Sequence, residues 1–178
     1  MDEDPLALTP DGNRLLAVNT PDNRLAVFDV TGAAPLRIAE IPVGLEPVAV
    51  AALSNNEAWV VNHLSDDVSV VDLTTMHVRA TLRVGDEPGD VVFAGAPLRA
   101  YVSVSQEDAV KAYDPANLAA APVVIPIPGR MPRALARTLD GAAQRGLYRR
   151  DELARMHGPA HGLSPAEAKR YLSVSIRF

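Results

Sequence analysis

Residues 44–72 read GLEPVAVAALSNNEAWVVNHLSDDVSVVD, and this stretch decides the fold. It opens on a Gly-x-x-Pro turn, Gly44 to Pro47, and enters an apolar run at 48–53 that breaks at Ser54-Asn55-Asn56. A second run, 58–61, stops at Asn62, and a third, 68–71, ends on Asp72. Short apolar runs bounded by Gly, Pro, Asn, Asp and Ser are strands joined by tight turns, so the stretch is one β-module.

The module recurs. Gly44-Leu45-Glu46-Pro47 returns as Gly85-Asp86-Glu87-Pro88 and as Gly129-Arg130-Met131-Pro132, with glycine steps of 41 and 44 residues. The strand-ending aspartates Asp29, Asp72 and Asp114 step by 43 and 42. A period in the low forties is the length of one four-stranded propeller blade.

The residues also resemble the YVTN-type β-propeller repeats, relatives of WD-repeat and lactonase-type propellers. The resemblance is carried by LTPDGNRLLAVNTPDNRLAVFDVTG (8–32), LSNNEAWVVNHLSDDVSVVDLTT (53–75) and, more weakly, AYVSVSQEDAVKAYDPAN (100–117), and it covers about residues 5–141. It implies an all-β chain: a partial β-propeller of about three four-stranded antiparallel blades plus the start of a fourth. A short helical C-terminal segment follows. It implies no activity, because such scaffolds host many unrelated functions. Similar propellers are often exported; the start Met1-Asp-Glu-Asp-Pro5 carries no signal-peptide pattern, so the compartment stays open.

The repeats occupy 1–139, with blades at about 5–43, 44–84 and 85–128 and an incomplete one from 129. Pro35 and Pro42 in blade one, and Pro126 and Pro128 in blade three, suit outer edge strands, where a missing N–H is tolerated. Residues 133–139 read as the first strand of the fourth blade. In 140–178 the pattern breaks: 148–156 reads as helical, Ser164-Pro165-Ala166-Glu167 is a helix start with a capping box, and 173–178 alternates as a final strand. Residues 1–131 carry 18 acidic and 8 basic side chains, whereas 132–178 carry 4 and 9. Three blades are too few for a ring of four to eight. The sequence therefore leaves three outcomes open: pairing of chains through open propeller edges into a homodimer, a C-terminal cap, or a piece of a longer protein.

Composition narrows the chemistry. The chain is 48% hydrophobic and 22% charged with a net charge of −5, and no apolar run approaches the length of a membrane helix. There is no cysteine, which excludes disulfides, thiolate nucleophiles and covalent c-type haem. Aromatic residues make up 4%, too few for nucleic-acid stacking platforms, so no nucleic-acid partner is expected.

Strand alternation places the Gly-x-x-Pro turns and the loops between second and third strands at one end of the sheets. That end collects candidate ligand-binding residues Glu46, Asn62, His63, Asp66, Glu87 and Arg130, a mainly acidic rim suited to a cation or a basic partner. Asp29, Asp72 and Asp114 recur too regularly for catalysis and are expected to close Asx turns. His157 and His161 sit around Gly158 and Pro159, which argues against a helical metal pair. No catalytic residue, metal site or cofactor is assigned, and no Walker, Rossmann or nucleophile-elbow motif is present. The reading is a non-enzymatic binding or scaffolding module with a protein, peptide or cation as partner. The alternatives are a fragment of a propeller enzyme, lactonase-like or oxidoreductase, with a metal or cofactor near its channel, and a truncated product without independent function.

Overall fold

The computed structural model describes residues 4–128 and 131–136. Twelve strands fall into three four-stranded antiparallel sheets, each a meander in chain order. Blade one is β1 (Leu6–Leu8), β2 (Arg14–Asn19), β3 (Arg24–Asp29) and β4 (Leu36–Pro42). Blade two is β5 (Pro47–Ser54), β6 (Glu57–Asn62), β7 (Asp67–Asp72) and β8 (His77–Arg83), and blade three is β9 (Pro88–Ala94), β10 (Arg99–Val104), β11 (Ala109–Tyr113) and β12 (Val123–Pro126). The strands expected within the three blades are there with ends displaced by one or two residues. The described residues contain no α-helix, only the single 3-10 turn Thr20–Asp22 after β2. The expected helices and the last strand lie outside the described residues.

Apolar residues on both faces of a strand explain how the blades stack. Along β6, Ala58 and Val60 turn to blade one while Trp59 and Val61 turn to blade three, and all four are fully buried. The first interface packs Leu16, Leu25, Val27 and Ile41 against Val50, Ala58, Val60, Val71 and Leu73. The second packs Trp59, Val61, Val68 and Val70 against Val91, Phe93, Ala100, Val102 and Tyr113. Trp59, expected to sit between blades, lies edge-on to Phe93 at 5.5 Å and to Tyr113 at 6.4 Å. Burial pushes the Tyr113 hydroxyl up to about 12, with the Glu107 charge adding to the effect.

The repeat extends to irregularities. The outer pairs β3–β4 and β7–β8 both shift register, between Val27 and Phe28 and between Val70 and Val71, at equivalent positions. Such bulges sharpen twist and turn the edge strand away from further pairing. Residues 131–136 run along blade three without joining a ladder, although the sequence suggested a strand from 133. A single strand has no partner to pair with, and none is supplied among the described residues. Its backbone is held instead by blade three: Leu135 N–H donates to Asp90 Oδ2 at 2.6 Å, and Leu135 packs on Val110.

Candidate functional site

At the end carrying the Gly-x-x-Pro turns, two devices recur at each blade junction. In the first, a left-handed residue of the β2–β3-type loop uses its side-chain oxygen to hold the next blade's entry turn. Asn23 Oδ1 accepts from Glu46 N–H at 2.8 Å, Asp66 Oδ1 from Glu87 N–H at 3.3 Å, and Asp108 Oδ1 from Met131 N–H at 2.8 Å. Acceptors and donors alike have positive φ, between 49° and 59°. Proline disfavours the right-handed helical region for the residue before it, and a left-handed non-glycine costs about 1–2 kcal/mol, which the bond offsets.

The second device uses the residue after the strand. Thr20 Oγ1 donates to Pro47 O at 2.7 Å and Ser105 Oγ to Pro132 O at 3.0 Å, while His63 Nδ1 lies 3.0 Å from Pro88 O. A carbonyl oxygen only accepts, so His63 bonds through Nδ1–H, which in the neutral ring leaves Nε2 as the acceptor nitrogen. His63 and Ser105 are tied to their own blades by backbone bonds to Glu46 O and Glu87 O.

The candidate residues thus separate. Glu46 and Glu87 hold the rim through their backbones, and Glu87 Oε2 also accepts from Gln106 Nε2 at 3.0 Å. Asp66 and His63 are half-buried staple residues. Asn62 is fully buried, its Nδ2 donating to Asp67 Oδ1 at 2.7 Å and Ser69 Oγ at 2.9 Å, while its Oδ1 has no hydrogen-bond partner. Gly44 lies on this polar cluster: a Cβ there would overlap Ser65 Oγ and Asn62 Nδ2, so only glycine allows the approach. Arg130 lies outside the described residues. Among the described residues no three His, Asp or Glu side chains converge as a metal ion requires.

Two residues the sequence reading passed over complete this end. Leu45 and Leu64 are 50% and 64% exposed, and Leu64 N–H donates to Leu45 O at 3.2 Å, setting the two side by side. The equivalent pair in blade three is Asp86 and Gln106, joined by the same backbone bond at 3.4 Å. Comparing the copies position by position would have singled them out, because blade two alone is apolar there.

The opposite end is architectural. Asp29 Oδ1 accepts from Thr31 N–H at 2.8 Å, Asp72 Oδ1 from Thr74 N–H at 2.7 Å, and Asp114 Oδ1 from Ala116 N–H at 3.0 Å, which are the expected Asx turns. The Thr31 hydroxyl and then its N–H hold the Asp29 carboxyl below its ordinary value, and the Thr74 and Thr75 N–H groups do the same for Asp72. A depressed native pKa makes the unfolded chain bind the proton first. The stability these turns contribute is therefore complete above the unfolded value of 3.8 and lost as pH falls below it through the native pKa. Thermal melts from about pH 6 down to about pH 2.5 should show a smaller acid loss for Asp72→Ala than for the parent. Equal acid losses would remove the turn from the account.

No family model matches the sequence, and no curated protein matches it. Solved structures do. Hydrazine synthase of Kuenenia stuttgartiensis superposes with a TM-score of 0.70 at 25% identity, over 79% of this chain and 41% of that one. A putative 6-phosphogluconolactonase of Bacteroides uniformis gives 0.61 at 16%, over 78% and 45%. Virginiamycin B lyase of Staphylococcus aureus gives 0.62 at 12%, over 76% and 45%. The fold is propeller-like, and the chain spans less than half the length of each of these three structures.

Proposed function

We propose that the chain is a binding module of YVTN-type propeller blades whose Gly-x-x-Pro rim takes a basic protein segment or peptide with an apolar anchor. The observation that carries this is the exposed pair Leu45 and Leu64, pinned by its backbone bond at the end of the sheets that also carries Glu46, Asp86 and Glu87. A peptide partner fits this rim better than a cation, because the two leucines are exposed and, among the described residues, no three His, Asp or Glu side chains converge on one point. Carboxylates steer and leucines hold: charge at an exposed rim acts mostly on association rate and salt dependence, whereas buried apolar area slows release. The second reading, a part of a propeller enzyme, is supported by the enzymes among the similar structures.

The test is fluorescence polarisation against a panel of short Lys/Arg-rich peptides with and without leucine. Peptides with leucine should bind, more weakly as salt rises. Leu45→Ser together with Leu64→Ser should lose about 100-fold, roughly tenfold for each leucine at 1.4 kcal/mol per tenfold, with the melting temperature unchanged. A panel without binders, or binding indifferent to both leucines, would remove the rim as the site.

A further inference from the structure

Blade three meets blade two through side chains, but it meets residues 131–136 mainly through their backbone. Towards blade three, the two inner strands of blade two present Val48, Ala49 and Val61, all buried in the apolar cluster between the blades. The equivalent places in blade three are Gly89, Asp90 and Ser103, because Asp90 pairs with Ser103 as Ala49 pairs with Val61. Ser105 follows β10 as His63 follows β6. Asp90, Ser103 and Ser105 are 1%, 0% and 1% exposed, so blade three buries polar groups where blade two buries apolar ones.

These residues line a groove that fits an extended main chain. Ser105 Oγ donates to Pro132 O at 3.0 Å and Ser103 Oγ to Arg133 O at 3.5 Å. Gly89 lets the chain come close: a Cβ there would stand 2.7 Å from Arg133 O and 3.2 Å from Arg133 Cα, backbone atoms that cannot swing aside. The Asp90 carboxylate accepts from Val91 N–H at 2.7 Å through Oδ1 and from Leu135 N–H at 2.6 Å through Oδ2. Val91 and Leu135 each stand three residues after the proline of a Gly-x-x-Pro turn, so one carboxylate joins equivalent amides of successive repeats. At the first junction the equivalent amide, Val50 N–H, donates to Asp4 O at 3.0 Å. Pro132 and Leu135 are the buried side chains of the segment, and Leu135 sits on Val110.

Hydrogen bonds of this kind are a weak net tether, because the groove and the segment can each bond to water instead; buried apolar area has no such substitute. Opening also returns the Asp90 carboxylate to water, which favours the open form. We propose that residues 131–136 form a strap that leaves and rejoins blade three as a unit while blades two and three stay stacked, with the Asp90 carboxylate as its main tie. Local opening of this kind needs less free energy than parting the apolar contacts between blades two and three. The strap is distinct from the pair Leu45 and Leu64, and it stands whether or not the rim binds peptide.

Limited trypsin digestion of the full chain, read by mass spectrometry, tests it by comparing two bonds of the same type. Arg133–Ala134 lies in the strap, and Lys111–Ala112 lies in β11, paired on both sides within blade three. Cleavage of a segment that opens and closes quickly follows the population of its open form. Asp90→Ala should therefore quicken the cut at Arg133 by about tenfold, with the cut at Lys111 and the Trp59 emission unchanged. Gly89→Ala should do the same by pushing on Arg133. Blade two carries Val48 at that place, so blade three can hold the added methyl group, and this variant decides the matter if Asp90→Ala loosens the blade itself. Both bonds quickening together in both variants would show that the segment opens only with its blade, and would overturn the proposal. A rate at Arg133 that neither variant moves would overturn it as well.

Discussion

Val70→Asp is expected to cost about 4 kcal/mol or more, enough to leave the chain largely unfolded at room temperature. Val70 is fully buried in the middle of β7, paired with Trp59 on one side and Ala80 on the other, and faces blade three. A carboxylate at that point loses its water and finds no donor, since the neighbouring N–H groups are committed to the ladders. Either the charge is buried unpaired or the blade interface opens; both outcomes remove the contact that joins blades two and three. Because Val70→Asp is expected to yield little soluble protein, Val70→Ala provides the measurable counterpart, with an expected loss of about 2 kcal/mol by urea unfolding. Val50→Asp, at a position 3% exposed in the first interface, should behave like Val70→Asp. A parent-like midpoint for either aspartate variant would show that the position does not face a neighbouring blade.

Trp59→Ala is the second large effect, about 3–5 kcal/mol. Trp59 is the largest fully buried side chain and is shared by both aromatic contacts of the second interface, so its loss leaves Phe93 and Tyr113 facing a void. Its Nε1–H also donates to Glu57 Oε1 at 2.9 Å, and Glu57 Oε2 in turn pairs with Arg79 at 2.8 Å. Trp59→Phe is the milder counterpart: it keeps a ring at the interface and gives up the N–H bond and part of the indole volume, so about 1–2 kcal/mol is expected. As the sole tryptophan, Trp59 is also a reporter whose emission should be blue-shifted and should shift red in one step with the urea transition. A red-shifted native emission would contradict its burial between blades two and three.

The three four-stranded sheets, their strand order and the Asx turns were legible because they are local. The Gly-x-x-Pro copies and the aspartates at 29, 72 and 114 carry the period in the residues themselves, and an Asx turn needs only its own next two or three residues. Strand ends and faces followed from alternation, which is also local. The candidate rim was legible only as a set of loops sharing one end. Its interior was not: Asn23, Asp66 and Asp108 act on a turn about 20 residues downstream, and His63 on Pro88 in the next blade. Those distances in sequence carry no pattern until two blades are stacked.

By itself, then, the sequence determined a propeller-type array of short antiparallel strands, since period, turn chemistry and strand alternation act within one blade. Only the tertiary structure decided what the polar loop residues do. Stacking sends the Asp66 carboxylate, the His63 ring and the Asn62 amide inward to backbone and side-chain partners, and leaves Leu45 and Leu64 facing out. It likewise decided which apolar rows are interior: Leu6 and Val50 hold equivalent places in the repeat, and one is exposed and the other buried because, among the described residues, a blade stands in front of only one of them.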